Sequence, residues 1–135
     1  MPSPVTVLVV DDDHRARAAL VRALDELPDL EAVGLDRDQA ARLAARRSDI
    51  ADAVVLDVPR ADADALVLLS SLAARVPVLV TSLSGAARRP SRRAGASAFV
   101  EKDGDGDALV ASISAHIRHA VAHNAPRPDN GEGQG

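Results

Sequence analysis

The sequence predicts an α/β fold in which a parallel sheet is covered by helices on both faces, and two observations point there. Short aliphatic runs alternate with stretches of helical periodicity along the whole chain. The runs begin at Val5, Glu31, Ala53, Pro77 and Ala98, so successive starts lie 21 to 26 positions apart. That spacing leaves room for one crossover helix between strands, and right-handed crossovers of this kind give parallel strands rather than hairpins.

Each element has its own justification. Val5–Val10 is apolar without alternation, as a strand buried on both faces should be. From His14 to Leu27, Ala16, Ala19, Leu20, Ala23, Leu24 and Leu27 fall at helical spacing, and Pro28 closes the segment. Glu31–Gly34 reads as the second strand. Asp36 can cap a second helix whose inner face includes Ala40, Leu43 and Ala44. Ala53–Leu56 is the third strand and runs into Asp57. Leu66, Leu69 and Leu72 mark a third helix, and Pro77–Val80 a fourth strand leading to Thr81 and Ser82. Between Ser84 and Ala94 the chain is rich in Gly and Arg with Pro90 in the middle, so the fourth helix should be short or begin near that proline. Ala98–Val100 is the fifth strand. A last helix starts at Asp105 or Asp107 and runs through Leu109, Ile113 and Ile117 toward His123. Residues 1–123 are expected to form one domain. Residues 124–135, polar and rich in Pro and Gly, are expected to be a disordered tail or the stub of a linker.

Composition removes several function classes. The chain has no cysteine, which excludes disulfides, thiol catalysis and thiolate-held metal and leaves oxygen or histidine ligands. Neither a membrane-spanning run nor a signal-peptide pattern is present, so a cytoplasmic location is expected without membrane contact. A net charge of −4 gives no global basic signature for nucleic acid. Phe99 is the only aromatic residue, so the core must be aliphatic. Lys102 is the only lysine among 16 lysine and arginine residues, which draws attention to a place where a compact ammonium serves better than a planar guanidinium.

Polar groups gather at the strand ends. Strand one ends in Asp11, Asp12 and Asp13, strand three in Asp57, strand four in Thr81 and Ser82, and strand five leads to Lys102. In open parallel sheets ligands bind beyond these carboxyl ends. Three carboxylates at about 4 Å would repel by roughly 4 kcal/mol per pair at an effective dielectric near 20, so a cation is expected among them. Magnesium fits because it takes a few carboxylates, waters and phosphate oxygens rather than a full protein cage. Asp57 can then act as a nucleophile toward phosphorus, with Lys102 and Thr81 holding phosphoryl oxygens.

Together VLVVDDDHRAR, VVLDV, PVLVTS and AGASAFVEK resemble, in order and at near-family spacing, the strand-end motifs of response-regulator receiver domains over about residues 5–118. The resemblance implies a doubly wound (βα)5 flavodoxin-like receiver fold with strand order 2-1-3-4-5. It implies a magnesium or manganese site on Asp11, Asp12, Asp57 and the Pro59 carbonyl, and a phosphoacceptor at Asp57. Thr81 and Lys102 would assist, and Phe99 would be the switch aromatic. The implied role is a two-component signalling switch that assists its own phosphorylation and dephosphorylation and is not otherwise an enzyme. A sensor histidine kinase or phosphotransfer protein would be the donor. A homodimer mate or effector protein would bind the face of the fourth and fifth helices, and DNA would be reached only through a separate output domain. Lys102-Asp103 also resembles receivers that precede helix-turn-helix output domains.

Departures and plainer readings stand beside this. The loop after Asp57 reads Val58, Pro59, Arg60, Ala61, Asp62 where a Met-Pro-Gly type is usual in the family, and Pro59 lacks an N–H. Apolar Pro59 and Leu83 occupy positions that tune access of water to the phosphoaspartate in the family, which suggests slow self-dephosphorylation. Asp13 reads as a cap of the first helix before it reads as a ligand. His116, His119 and His123 have one-turn spacings that could bind metal, but the plainer reading is a solvated face. Arg88, Arg89, Arg92 and Arg93 crowd the fourth connection, where a solvated cationic loop is the plainer reading and an acidic partner the alternative. A pseudo-receiver that works as an interaction module without phosphorylation is the runner-up. A metal-dependent phosphatase would leave Asp57 unexplained, and a flavin-type cradle would set its phosphate against three aspartates.

Overall fold

In a computed structural model, which describes residues 3–46 and 49–124, five parallel strands form one sheet in the order β2-β1-β3-β4-β5. The strands are β1 (Val5–Val10), β2 (Leu30–Leu35), β3 (Ala53–Asp57), β4 (Val78–Ser82) and β5 (Ala98–Glu101). The helices are α1 (His14–Asp25), α2 (Arg37–Ala44), α3 (Ala63–Ala73), α4 (Arg88–Arg93) and α5 (Gly106–Asn124). A single 3₁₀ turn, Gly85–Ala87, precedes α4. Fold class, strand order and the short fourth helix agree with the sequence expectation.

Alternation along the strands divides the core into two layers. Leu8, Val10, Val54 and Leu56 face the side covered by Ala40 of α2 and by Leu69 and Leu72 of α3. Val7, Val9, Ala53 and Val55 face Leu24 of α1 and Ile113 and Ile117 of α5. Each Val or Leu buried this way contributes about 1.5–3 kcal/mol, so an aliphatic core suffices without aromatic bulk. Phe99, the one aromatic, is buried in the first layer, and the Arg88 guanidinium lies 4.7 Å from its ring centroid.

Several boundaries move from expectation for physical reasons. Helix α1 stops at Asp25, because Leu27 already bonds as a turn to Leu24 and Pro28 pushes the residue before it out of helical geometry. Strand β2 gains a residue at each end by pairing with all of β1 from Val5 to Val10. Strand β4 begins after Pro77, which has no N–H to give, although its carbonyl accepts from Val54 at 3.0 Å. It continues through Thr81 and Ser82, so these hydroxyl residues lie inside the strand rather than beyond it. Strand β5 runs one residue further than expected, to Glu101. The buried stripe of α3 is Ala65, Leu68, Leu69 and Leu72, with Leu66 only partly covered.

Helix starts follow their caps. Asp13, Asp36 and Asp62 each accept backbone N–H groups of the first turn of α1, α2 and α3, and Gln39 completes a capping box with Asp36. Asp105 does the same for α5 by accepting from the Ala108 amide at 3.0 Å. Asn124 closes α5, and residues 125–135 of the expected tail lie outside the described residues.

Candidate phosphoacceptor pocket

Register places the functional side chains. Because β1 pairs with both β2 and β3, the direction of winding reverses between β1 and β3, where a crevice opens at the carboxyl ends. Asp11 follows β1 with its amide bonded to the Leu35 carbonyl at 3.1 Å. Asp57 is the last residue of β3 and pairs with Thr81. Lys102 follows β5 with its amide on the Ser82 carbonyl at 2.8 Å. Four strand ends thereby deliver two acids, a hydroxyl and an ammonium to one spot.

The side chains meet there. Lys102 Nζ lies 2.6 Å from Asp57 Oδ1 and 3.8 Å from Asp11 Oδ2. Thr81 Oγ1 donates to the same Asp57 Oδ1 at 3.2 Å. Asp11 Oδ1 accepts from the Asp13 amide at 2.9 Å, and Arg17 Nη1 donates to the Asp11 backbone carbonyl at 2.6 Å. Burial pushes the Asp11 carboxyl up, and the nearby charge of Asp57 adds to this, against the Asp13 amide and Lys102. Asp13 behaves as the cap that the sequence suggested, and the amides of Ala16 and Arg15 hold its carboxyl below the usual range.

A cavity of about 390 Å³ opens over this cluster, lined by Asp11, Asp12, Asp57, Pro59 and Lys102, with Arg37, Arg60 and Leu83 at its walls. The acids do not all converge, however. Asp12 is mostly exposed, accepts the Arg37 amide at 2.9 Å and has the Arg37 guanidinium at 3.9 Å. Among the described residues no group of three or more acids or histidines is gathered closely enough to enclose a cation. Asp11 and Asp57 share Lys102, and Asp12, lining the same cavity, is drawn toward Arg37. Arg37 and Arg17 escaped the sequence reading. Arg37 reaches Asp12 only because β2 lies beside β1, a neighbour relation that no linear motif prints.

Fold and pocket together define a class, a doubly wound domain with acids at its switch point and a lysine and a hydroxyl closing on the central aspartate. No family model matches the chain. The chain is 35% identical to the DNA-binding transcriptional activator DevR/DosR of Mycobacterium tuberculosis, in an alignment covering 81% of this chain and 52% of that protein. It is 31% identical to protein-glutamate methylesterase/protein-glutamine glutaminase 2 of Koribacter versatilis, covering 93% of this chain and 38% of that one. The chain thus spans about half or less of the curated relatives it matches. A response regulator from Thermotoga maritima superposes with a TM-score of 0.69 at 25% identity, over 87% of this chain and 99% of that one. The complex of the P1 domain of CheA3 with CheY6 from R. sphaeroides gives 0.71 at 21% identity, over 90% and 99%. The chain is a response-regulator receiver domain of the two-component class. Among the described residues no helix is long and apolar enough to cross a membrane.

Proposed function

We propose that this receiver domain is a phosphorylation switch whose acceptor is Asp57. The observation that carries the reading is the 2.6 Å contact between the only lysine and the carboxylate that ends the central strand, shared with Thr81 and with Asp11. A phosphohistidine on a sensor kinase or phosphotransfer protein is the natural donor class, in keeping with a neighbour solved as a complex of a P1 domain with CheY6. One Asp57 oxygen forms the O–P bond as the N–P bond of the donor breaks, and the departing imidazole takes up a proton. Lys102, already on Asp57, would pair with a phosphoryl oxygen, and the Thr81 hydroxyl would hydrogen-bond another.

The donor set suits a hard divalent ion. Asp11, Asp12, Asp57 and the Pro59 carbonyl would offer oxygen only, and all four residues line one cavity. Magnesium or manganese there would offset the acid charge and polarise phosphoryl oxygens. The role of the protein is to position: strand ends fix Asp57, the Asp13 amide fixes Asp11, and Arg37 holds Asp12. In this reading the receiver unit spans residues 1–123 and acts in the cytoplasm. It carries no catalysis on a separate substrate, and its output passes through a partner on the face of α4 and α5 or through a further domain.

Incubation with magnesium and acetyl phosphate, followed by intact mass, tests the proposal. The expected result is one added phosphoryl group, lost in Asp57→Ala. An unchanged mass, together with amide spectra unmoved by beryllofluoride at millimolar magnesium, would replace the switch with an interaction module that works unphosphorylated.

A further inference from the structure

Helix α5 carries three histidines that the phosphoacceptor pocket does not use. His116, His119 and His123 recur at intervals of three and four, which places them along one face of the helix. All three line a shallow cavity of about 240 Å³ with Pro77, Ser97 and Ala98. Pro77 and Ser97 directly precede β4 and β5, so this cavity lies at the amino ends of the strands, at the opposite end of the sheet from Asp57. The three imidazoles are exposed, as a solvated face requires, and exposure also leaves their nitrogens open to a ligand from solution.

The last two rings are organised rather than splayed. Their centroids lie 4.0 Å apart with planes inclined by 32°. His123 Nδ1 sits 2.9 Å from the His119 carbonyl oxygen. A carbonyl can only accept, so Nδ1 carries the proton and donates, and Nε2 of His123 is left with a bare lone pair. Fixing one ring nitrogen by a hydrogen bond to backbone is the outer-shell arrangement that makes the other a good metal ligand. Among the described residues no cysteine and no histidine pair outside α5 competes for an ion that prefers nitrogen or sulfur. There is no cysteine, and the fourth histidine, His14, stands alone on α1 against Arg17.

We propose that His119 and His123 form a two-imidazole chelate for a divalent transition-metal ion of the nickel, copper or zinc class, with water completing its coordination. Imidazoles select these ions, whereas magnesium and calcium keep to oxygen. Because no three ligand-type side chains converge among the described residues, the chelate is open and two-toothed, and His116 is a neighbour one turn away. The chelate spans the last turn of α5, so occupancy clamps the helix end. It does so without touching the acidic pocket.

Nickel titrated calorimetrically into the full chain, with magnesium in large excess to occupy oxygen ligands, tests this directly. One nickel per chain is expected. His119→Ala and His123→Ala should each weaken binding at least about tenfold, as expected when one of two nitrogen ligands is removed, while His14→Ala should leave it unchanged. Both rings are exposed, so neither substitution removes core packing. In a parallel zinc titration, imidazole resonances of His119 and His123 should move while amides around Asp57 stay fixed. Binding within twofold of the parent in both alanine variants, or movement beginning at Asp57, would overturn the assignment.

Discussion

Lys102 balances two acids that would otherwise face each other across the β1–β3 crevice. Its Nζ lies 2.6 Å from Asp57 and 3.8 Å from Asp11, and all three side chains are mostly covered. Removing the cation alone leaves uncompensated carboxylates in a poorly solvated place, so Lys102→Met should lower stability by about 1–3 kcal/mol in urea unfolding. Asp57→Asn in the same chain should recover part of that loss, and strict additivity in the double-mutant cycle would show that the contact carries no coupling. Asp11 has the opposite sign. Its carboxyl titrates above the ordinary carboxylate range because burial penalises the charge, so the folded chain holds that proton more tightly than the unfolded chain. Its contribution to stability therefore rises as pH falls through the folded value and is complete below the unfolded one. Asp11→Asn should make the metal-free protein more stable at neutral pH, with the gap to the parent closing on acidification. A gap that widens toward low pH would contradict this. Under the proposed phosphorylation of Asp57, Pro59 and Leu83 would bear on the lifetime of the phosphorylated state. Both stand at the pocket wall and neither side chain can hydrogen-bond an attacking water, so a phosphorylated form should decay slowly, and a half-life of seconds by mass or phosphorus NMR would refute it.

At the scale of the elements, α4 is the weak member of the fold. Its six residues include Arg88, Arg89, Arg92 and Arg93, and it has no side-chain cap. The Ser91 hydroxyl is buried with no hydrogen-bond partner, a cost that a well-packed helix avoids. Pro90 is tolerated because it stands in the first turn, where the N–H groups have no intrahelical acceptor. Like charges one turn apart oppose the helix, and salt screens them. Amides of α4 should therefore exchange faster than those at the centre of α5, and added salt should slow the exchange of α4 selectively. Equal protection of the two helices would mean that packing of Ala87 and Ala96 outweighs charge, propensity and the orphan hydroxyl together. Helix α3 is the contrast, with Leu69 and Leu72 fully buried and Asp62 as its cap. There Leu69→Ala should cost about 2–5 kcal/mol in chemical denaturation.

At the scale of the whole molecule, the sheet was legible in sequence because β1, β3 and β4 are near-continuous aliphatic runs that end in or lead directly to polar residues, whereas β2, interrupted by Glu31 and Gly34, is the least marked. The strand ends named Asp11, Asp57, Thr81 and Lys102 before any coordinates did, since a parallel sheet brings all carboxyl ends to one edge. What could not be read is lateral. Arg37 meets Asp12 only through the pairing of β2 with β1, and the division of three acids into a lysine-bound pair and an outlying one depends on side-chain competition at a few ångströms. That division bears on how strongly the folded state is coupled to a cation. Bringing Asp12 to a shared ion must compete with Arg37, and bringing Asp57 to it must compete with Lys102, yet any ion bound only by the folded chain adds stability by mass action. Magnesium should raise the unfolding midpoint continuously with concentration and reach about 2.7 kcal/mol of added stability at one hundred times its dissociation constant. Chelation with EDTA should return the midpoint to its starting value. The increment should vanish in Asp57→Asn and grow at fixed magnesium in Arg37→Ala, where Asp12 is freed. A midpoint indifferent to magnesium in all three chains would mean that the acids of this pocket serve only to hold Lys102 and Arg37.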